Sequence, residues 1–188
     1  MGKFLLLTFL LCLSLAANAA EVGGIVVDDT AQPGNSNLVL NGAGVRSKFV
    51  FDLYVAALYL GTKKNSETAV LTDPGEKRIA LHLLRDISAE HLLHNFKKAI
   101  GKNHADEELK AMKAELHDSE TIFHNMGRLN KGDVVLLDYL PATGTQIAVN
   151  GAVQGTVPGT AFNAALLKIW IGDKPAQQDL KLKLLGGK

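Results

Sequence analysis

Phe49-Val50-Phe51-Asp52-Leu53-Tyr54-Val55-Ala56-Ala57-Leu58-Tyr59-Leu60 carries a single charge and is dense in aromatic and β-branched residues. That composition suits a pleated, half-buried surface, so residues 49–60 read as a strand. A shorter apolar run over residues 38–40 reads as another. Gly42 and Gly44 between the two mark a bulge or a sharp bend. Tyr54 and Tyr59 stand at opposite parity, so a regular strand aims them at opposite faces of its sheet.

Upstream, residues 28–37 are rich in Pro, Gly, Asn and Ser and read as a loop. Downstream, Asp73-Pro74-Gly75 is a turn signal, followed by a strand over residues 78–84. Helical spacing then takes over. Ser88 is a candidate N-cap, Leu92, Leu93, Phe96 and Ile100 make one apolar face, and Gly101 ends the helix. A second helix begins near Asp106 and continues through Leu109, Met112, Leu116, Phe123 and Met126. Strands return over residues 134–140, 145–149 and 152–157, with Asn150-Gly151 as a strong hairpin signal. Helices over residues 161–171 and 176–185 follow. Strands, then helices, then a hairpin and more helices is an α+β order with an antiparallel sheet, not alternating βαβ. The expected architecture is a large antiparallel sheet covered by a layer of helices.

The N-terminus reads as a secretory signal peptide over residues 1–19. Lys3 gives the positive n-region, residues 4–15 the apolar stretch, and Ala17-Asn18-Ala19 the small-x-small cleavage pattern. An uncleaved anchor, or a lipoprotein built on Cys12, is the rival reading. The expectation is therefore a periplasmic protein of one domain, residues 20–188. Cys12 is the only cysteine, so the processed chain has no disulfide and must rely on a hydrophobic core. The chain has 20 basic and 19 acidic residues, and loss of Lys3 brings the two into balance. No basic run suggests nucleic acid, and no later apolar stretch reaches membrane-spanning length.

No P-loop, dinucleotide fingerprint, HExxH or GxSxG occurs, and nothing signals a cofactor. His91 and His94 lie three apart on a helix, but no third ligand stands at close spacing on that face. Solvated helix histidines account for them better than a metal does. Arg46 follows two glycines and precedes the apolar run. Its planar fork suits a carboxylate or phenolate on a greasy ligand, although an exposed arginine at a strand end is the simpler alternative. Core packing with a locally satisfied hydroxyl is likewise the simpler reading of either tyrosine. Were residues 46–54 one straight strand, Arg46 and Tyr54 would stand roughly 26 Å apart. They share a site only if the chain turns back near residues 47–49.

The segment Leu40-Asn41-Gly42-Ala43-Gly44-Val45-Arg46, running into Tyr54-Val55-Ala56-Ala57-Leu58-Tyr59-Leu60, resembles the chalcone isomerase superfamily. More closely, it resembles its bacterial exported chalcone isomerase-like proteins. Lys131-Gly132-Asp133, Val149-Asn150-Gly151 and the stretch from Ala164 to Pro175 support this, so the resemblance covers residues 36–186. It implies an open-faced β-sandwich with a ligand cleft between sheet and helices. In the plant enzymes a cleft arginine supports closure of a chalcone to a flavanone; the fatty-acid-binding members use it, with a tyrosine, on a carboxylate. Only Arg46 matches outright. Tyr54 stands where the enzymes have a threonine, His91 and Lys98 where they have a tyrosine and an asparagine, and Gln177 near a C-terminal hydroxyl position. The resemblance thus implies Arg46, Tyr54, His91 and Lys98 as ligand-binding residues for a small apolar carboxylate or phenolic ligand, with no catalytic set. An isomerase acting on a chalcone-like enone is one alternative. A structural envelope module, its cleft filled by Phe49, Phe51 and Trp170, is another.

Overall fold

A computed structural model describes residues 20–187; the expected leader over residues 1–19 lies outside the described residues. The chain runs β1 (Ala20–Val22), β2 (Ile25–Val27), β3 (Thr30–Ala31), β4 (Leu38–Lys48), β5 (Phe51–Leu60), α1 (Glu67–Leu71), β6 (Lys77–Leu83) and β7 (Ile87–Ser88). It continues α2 (Ala89–Asn103), α3 (Asp106–Ala111), α4 (Lys113–Met126), β8 (Arg128–Leu129), β9 (Val134–Leu140), β10 (Gly144–Val149), β11 (Ala152–Val157), α5 (Thr160–Ile171) and α6 (Gln178–Leu184). Seven strands form one sheet in the order β11-β10-β9-β6-β5-β4-β3, every neighbouring pair antiparallel. The α+β architecture read from the sequence is the one observed.

β5 lies inside this sheet, and its alternation divides the core. Tyr54, Ala56, Leu58 and Leu60 face the helical layer, where they join Leu81, Phe96, Phe162 and Trp170. Val55, Ala57 and Tyr59 face the other side, joining Val27 and Leu38 beneath the β1–β2 hairpin. The two tyrosines point to opposite faces, as their parity requires. Tyr59 donates to the backbone oxygen of Asp28 at 3.0 Å.

Several boundaries differ from those the sequence suggests. The first apolar run does not stop at residue 40: β4 continues to Lys48, with a register shift between Leu40 and Gly42 where the bulge was expected. Its glycines permit close packing by α6. A methyl on Gly42 would lie 1.9 Å from the backbone oxygen of Lys183, and one on Gly44 would meet Leu180 at 2.9 Å. Asn41, buried beside this notch, donates to the Leu184 oxygen at 2.6 Å. β5 starts at Phe51, not residue 49, because Phe49 and Val50 form the turn from β4. α2 runs through Gly101, which meets nothing within 4 Å, and ends after Asn103. Ser88 caps it, accepting from the His91 amide at 3.2 Å. The second long helix is two, α3 and α4, broken at Met112 (φ −101°, ψ 20°). The loop over residues 28–37 contains β3, and the last helix begins at Gln178 instead of residue 176.

Candidate functional site

The turn at Phe49-Val50 folds β4 back on β5 so that Arg46 and Tyr54 are register partners. Directly opposed residues in an antiparallel pair lie about 5 Å apart, not 26 Å, so the condition for a shared site is met. Both border a cleft of about 730 Å³ between the sheet and α2. Its inner wall is apolar: Leu81, Val135 and Leu137 from the sheet, Phe96 and Phe123 from α2 and α4, Ile169 and Trp170 from α5. His91 and Lys98, seven residues apart on α2, stand on the same helix face and also line the cleft. All four residues singled out from the sequence therefore converge on one cavity.

The arginine is aimed by its neighbours. Arg46 Nη1 donates to the Ser47 backbone oxygen at 2.6 Å and to Gln177 Oε1 at 2.9 Å. Gln177 sits at the N-cap of α6 and also accepts from the Ser47 amide at 2.9 Å. One amide side chain thus ties the site arginine to the bulge in β4 between Arg46 and Ser47. Guanidinium carries five N–H donors. Nη1 of Arg46 makes both of these bonds and the guanidinium also interacts with the Tyr54 hydroxyl, which leaves further N–H donors that could meet an anion in the cleft.

Tyr54 is buried, and its hydroxyl accepts from Trp170 Nε1 at 3.0 Å. Burial pushes its phenol above the ordinary range; the Trp170 hydrogen bond and the Arg46 charge offset part of that rise. At neutral pH the group is a neutral hydroxyl whose proton can be donated into the cleft. His91 and Lys98 are exposed at the rim. His91 is committed through its backbone: its amide caps on Ser88, and its carbonyl accepts from Asn95 at 2.8 Å. Among the described residues no cluster of His, Cys, Asp or Glu could hold a metal ion, and no helix is long and apolar enough to cross a membrane.

Phe49 and Phe51 do not fill the cleft. They stand at its rim, 91% and 55% exposed, and Trp170 is a buried part of its wall. Three further features escaped the sequence reading. Gln177, which the resemblance placed only near a C-terminal hydroxyl position, acts as the bracket for Arg46, a role that α6 creates by crossing β4. Trp170 supplies the Tyr54 donor from a distance of 116 residues. The third is charge: six residues lining the cleft are Lys or Arg (Arg46, Lys48, Arg85, Lys98, Lys102 and Lys174) and one, Asp86, is acidic. The spacing of Asn95, Lys98 and Lys102 on α2 could have signalled part of that rim.

A family model described as chalcone isomerase-like matches residues 19–186. Among solved structures, the chain is similar to a fatty-acid binding protein of Arabidopsis thaliana. The TM-score is 0.65 at 14% identity, covering 86% of this chain and 92% of the other. At that identity the likeness shows a shared fold. No curated protein matches.

Proposed function

The chain belongs to the chalcone isomerase-like family, and we propose that it binds a small amphipathic anion, foremost a fatty acid, without catalysing a reaction on it. One observation carries this reading: an arginine, paired with the Tyr54 hydroxyl, opens onto a cleft whose inner wall is apolar. A carboxylate head would take the Arg46 guanidinium, with the Tyr54 hydroxyl donating to it, and the tail would lie along Leu137, Phe96 and Ile169. His91 and Lys98 would add polar contacts at the rim. A cleft of this size falls within the roughly 300–1,000 Å³ of small-molecule sites. The related fold of a protein named for fatty-acid binding supports the same choice.

We further propose that binding takes place in the periplasm, after cleavage of the leader behind Ala19. The support is the charge, apolar stretch and cleavage pattern of residues 1–19. Cell fractionation with intact mass of the recovered protein tests it; a cytoplasmic, unprocessed product overturns it.

The ligand reading is tested by titrating dodecanoate and its shorter and longer homologues into the protein and into Arg46→Ala, alongside native mass spectrometry of co-purifying lipid. Each buried methylene contributes about 0.8 kcal/mol, so affinity should climb with chain length until the cleft is full. Equal binding by Arg46→Ala, or no binding of any apolar anion, refutes it. Turnover of a chalcone-like enone above the uncatalysed rate would overturn the non-catalytic part.

A further inference from the structure

The tip of the β4–β5 hairpin is built against the usual rules for a turn. Phe49, Val50 and Phe51 are consecutive and 91%, 87% and 55% exposed. The other large apolar residues exposed to this degree, Val26, Val153 and Leu182, occur singly, which is ordinary for a protein surface. Phe49 also holds φ at +57°, in the left-handed region that Gly or Asn would occupy at less cost. Neither the turn nor the core therefore calls for phenylalanine at this position.

The surroundings of the tip are cationic. Lys48 is adjoining, and the Arg85 guanidinium lies 4.8 Å from the Phe51 ring centre. Lys98, Lys102 and Lys174 stand on the rim of the same cleft. None of these five side chains forms an ion pair with a carboxylate among the described residues. The one acid on the rim, Asp86, is already engaged by Arg128 at 2.6 Å and by the Lys131 amide at 2.9 Å. Asp52, just past the tip, accepts from the Ser47 hydroxyl. An apolar prong flanked by Lys48 and Arg85, beside a cleft whose lining carries three more lysines against the single acid Asp86, is complementary to a surface with anionic headgroups over hydrocarbon.

We infer that the protein docks on an anionic phospholipid bilayer through this tip: Phe49, Val50 and Phe51 enter the interface, and Lys48, Arg85, Lys98, Lys102 and Lys174 meet the headgroups. The orientation would turn the cleft mouth toward the lipid. This goes beyond the fatty-acid reading and does not depend on it, since docking is measured on vesicles free of fatty acid.

The protein purified after export is spun with vesicles of phosphatidylglycerol and phosphatidylethanolamine, and separately with neutral phosphatidylcholine. The expected result is partition onto the anionic vesicles only, weakening with added salt. Phe49→Gly removes a ring and relieves the left-handed strain, so it should bind about tenfold less while unfolding no earlier than the parent. Lys98→Glu with Lys102→Glu should cost at least tenfold, at about fivefold for each cation lost near an anionic surface. Absence of binding to the anionic vesicles, or equal binding by Phe49→Gly, overturns the proposal. So does a stable dimer that dissociates in Phe49→Gly, which would assign the tip to a second copy of the chain.

Discussion

Replacing Gln177 by glutamate separates the charge of the site arginine from its placement. The side chains are nearly isosteric, and a carboxylate oxygen can keep both bonds that the amide oxygen accepts, from Arg46 Nη1 and the Ser47 amide at 2.9 Å each. What is lost is the long contact of Nε2 with the Val45 oxygen at 3.4 Å and the hydrogen bond of the side chain with Asp179, beside which a second carboxylate would now stand. Folding stability should fall by no more than about 1–2 kcal/mol, because the charge-assisted bond to the guanidinium offsets part of the lost contacts and of the repulsion from Asp179. Anion binding should not survive so well. A ligand carboxylate held by Arg46 would stand ~6 Å from the new charge, and at an effective dielectric near 20 this repulsion is about 3 kcal/mol, or about a hundredfold in Kd. Gln177→Ala is the contrasting variant: it removes the bracket without adding charge. It should lose about 1–3 kcal/mol of stability and about tenfold in affinity. The assay is calorimetric titration of dodecanoate and of its uncharged alcohol, with urea unfolding of each variant. Gln177→Glu should abolish the preference for acid over alcohol. If that preference persists undiminished, the ligand head does not sit at Arg46 and the site has been misassigned.

Further outcomes follow from the structure. Tyr54→Phe strips the acceptor from a buried Trp170 N–H, and urea unfolding should report a loss of about 1–3 kcal/mol; no change would mean that water or another group replaces the hydroxyl. Gly42→Ala drives a methyl against the Lys183 oxygen and should cost about 1–3 kcal/mol or more. Gly61→Ala, with nothing within 4 Å, should be neutral or slightly stabilising. Stability should also be pH-dependent at both ends. Burial raises Tyr54, and raises Tyr59 to about 12. Above about pH 10 the unfolded chain releases these protons first, so stability falls through that window. Burial lowers His82 below its ordinary range, so as pH drops past about 6.5 the unfolded chain binds the proton first and stability falls again. Denaturant midpoints across pH check both limbs, and His82→Gln should flatten the acid one near pH 6.5, leaving the further loss at lower pH that the depressed carboxyls of Asp73 and Asp133 produce.

The sheet was most legible where turn chemistry was written locally. Asn150 and Gly151 both take positive φ, 49° and 82°, which the hairpin between β10 and β11 demands. Ser88 announced α2 in the same way. The β4–β5 hairpin was obscured because its turn residues are Phe and Val, which carry no turn signal. β4 beyond residue 40 was hidden by Gly42 and Gly44, poor strand formers whose presence answers to α6, a partner far off in the chain. The short strands β1, β2 and β7 have too few residues to show a period. Of the site, Arg46 was visible as an arginine out of place beside apolar residues, and resemblance supplied Tyr54, His91 and Lys98. The Gln177 bracket and the Trp170 bond are products of tertiary structure, with no local pattern to betray them.

The span of chain between Arg46 and its bracket has a consequence for biosynthesis. Arg46 waits for Gln177, 131 residues later, and Asn41 for Leu184, 143 residues later. Chains emerge N-terminus first, and contacts of such separation close late and slowly. A chain terminated before α6 contains the residues of β4 and β5 yet lacks the element that fixes the arginine's direction. Ligand would then stabilise the finished fold and not its precursors, in proportion to its free concentration over Kd. On the proposed reading, tight binding would then mark a polypeptide whose far end has already packed against its beginning.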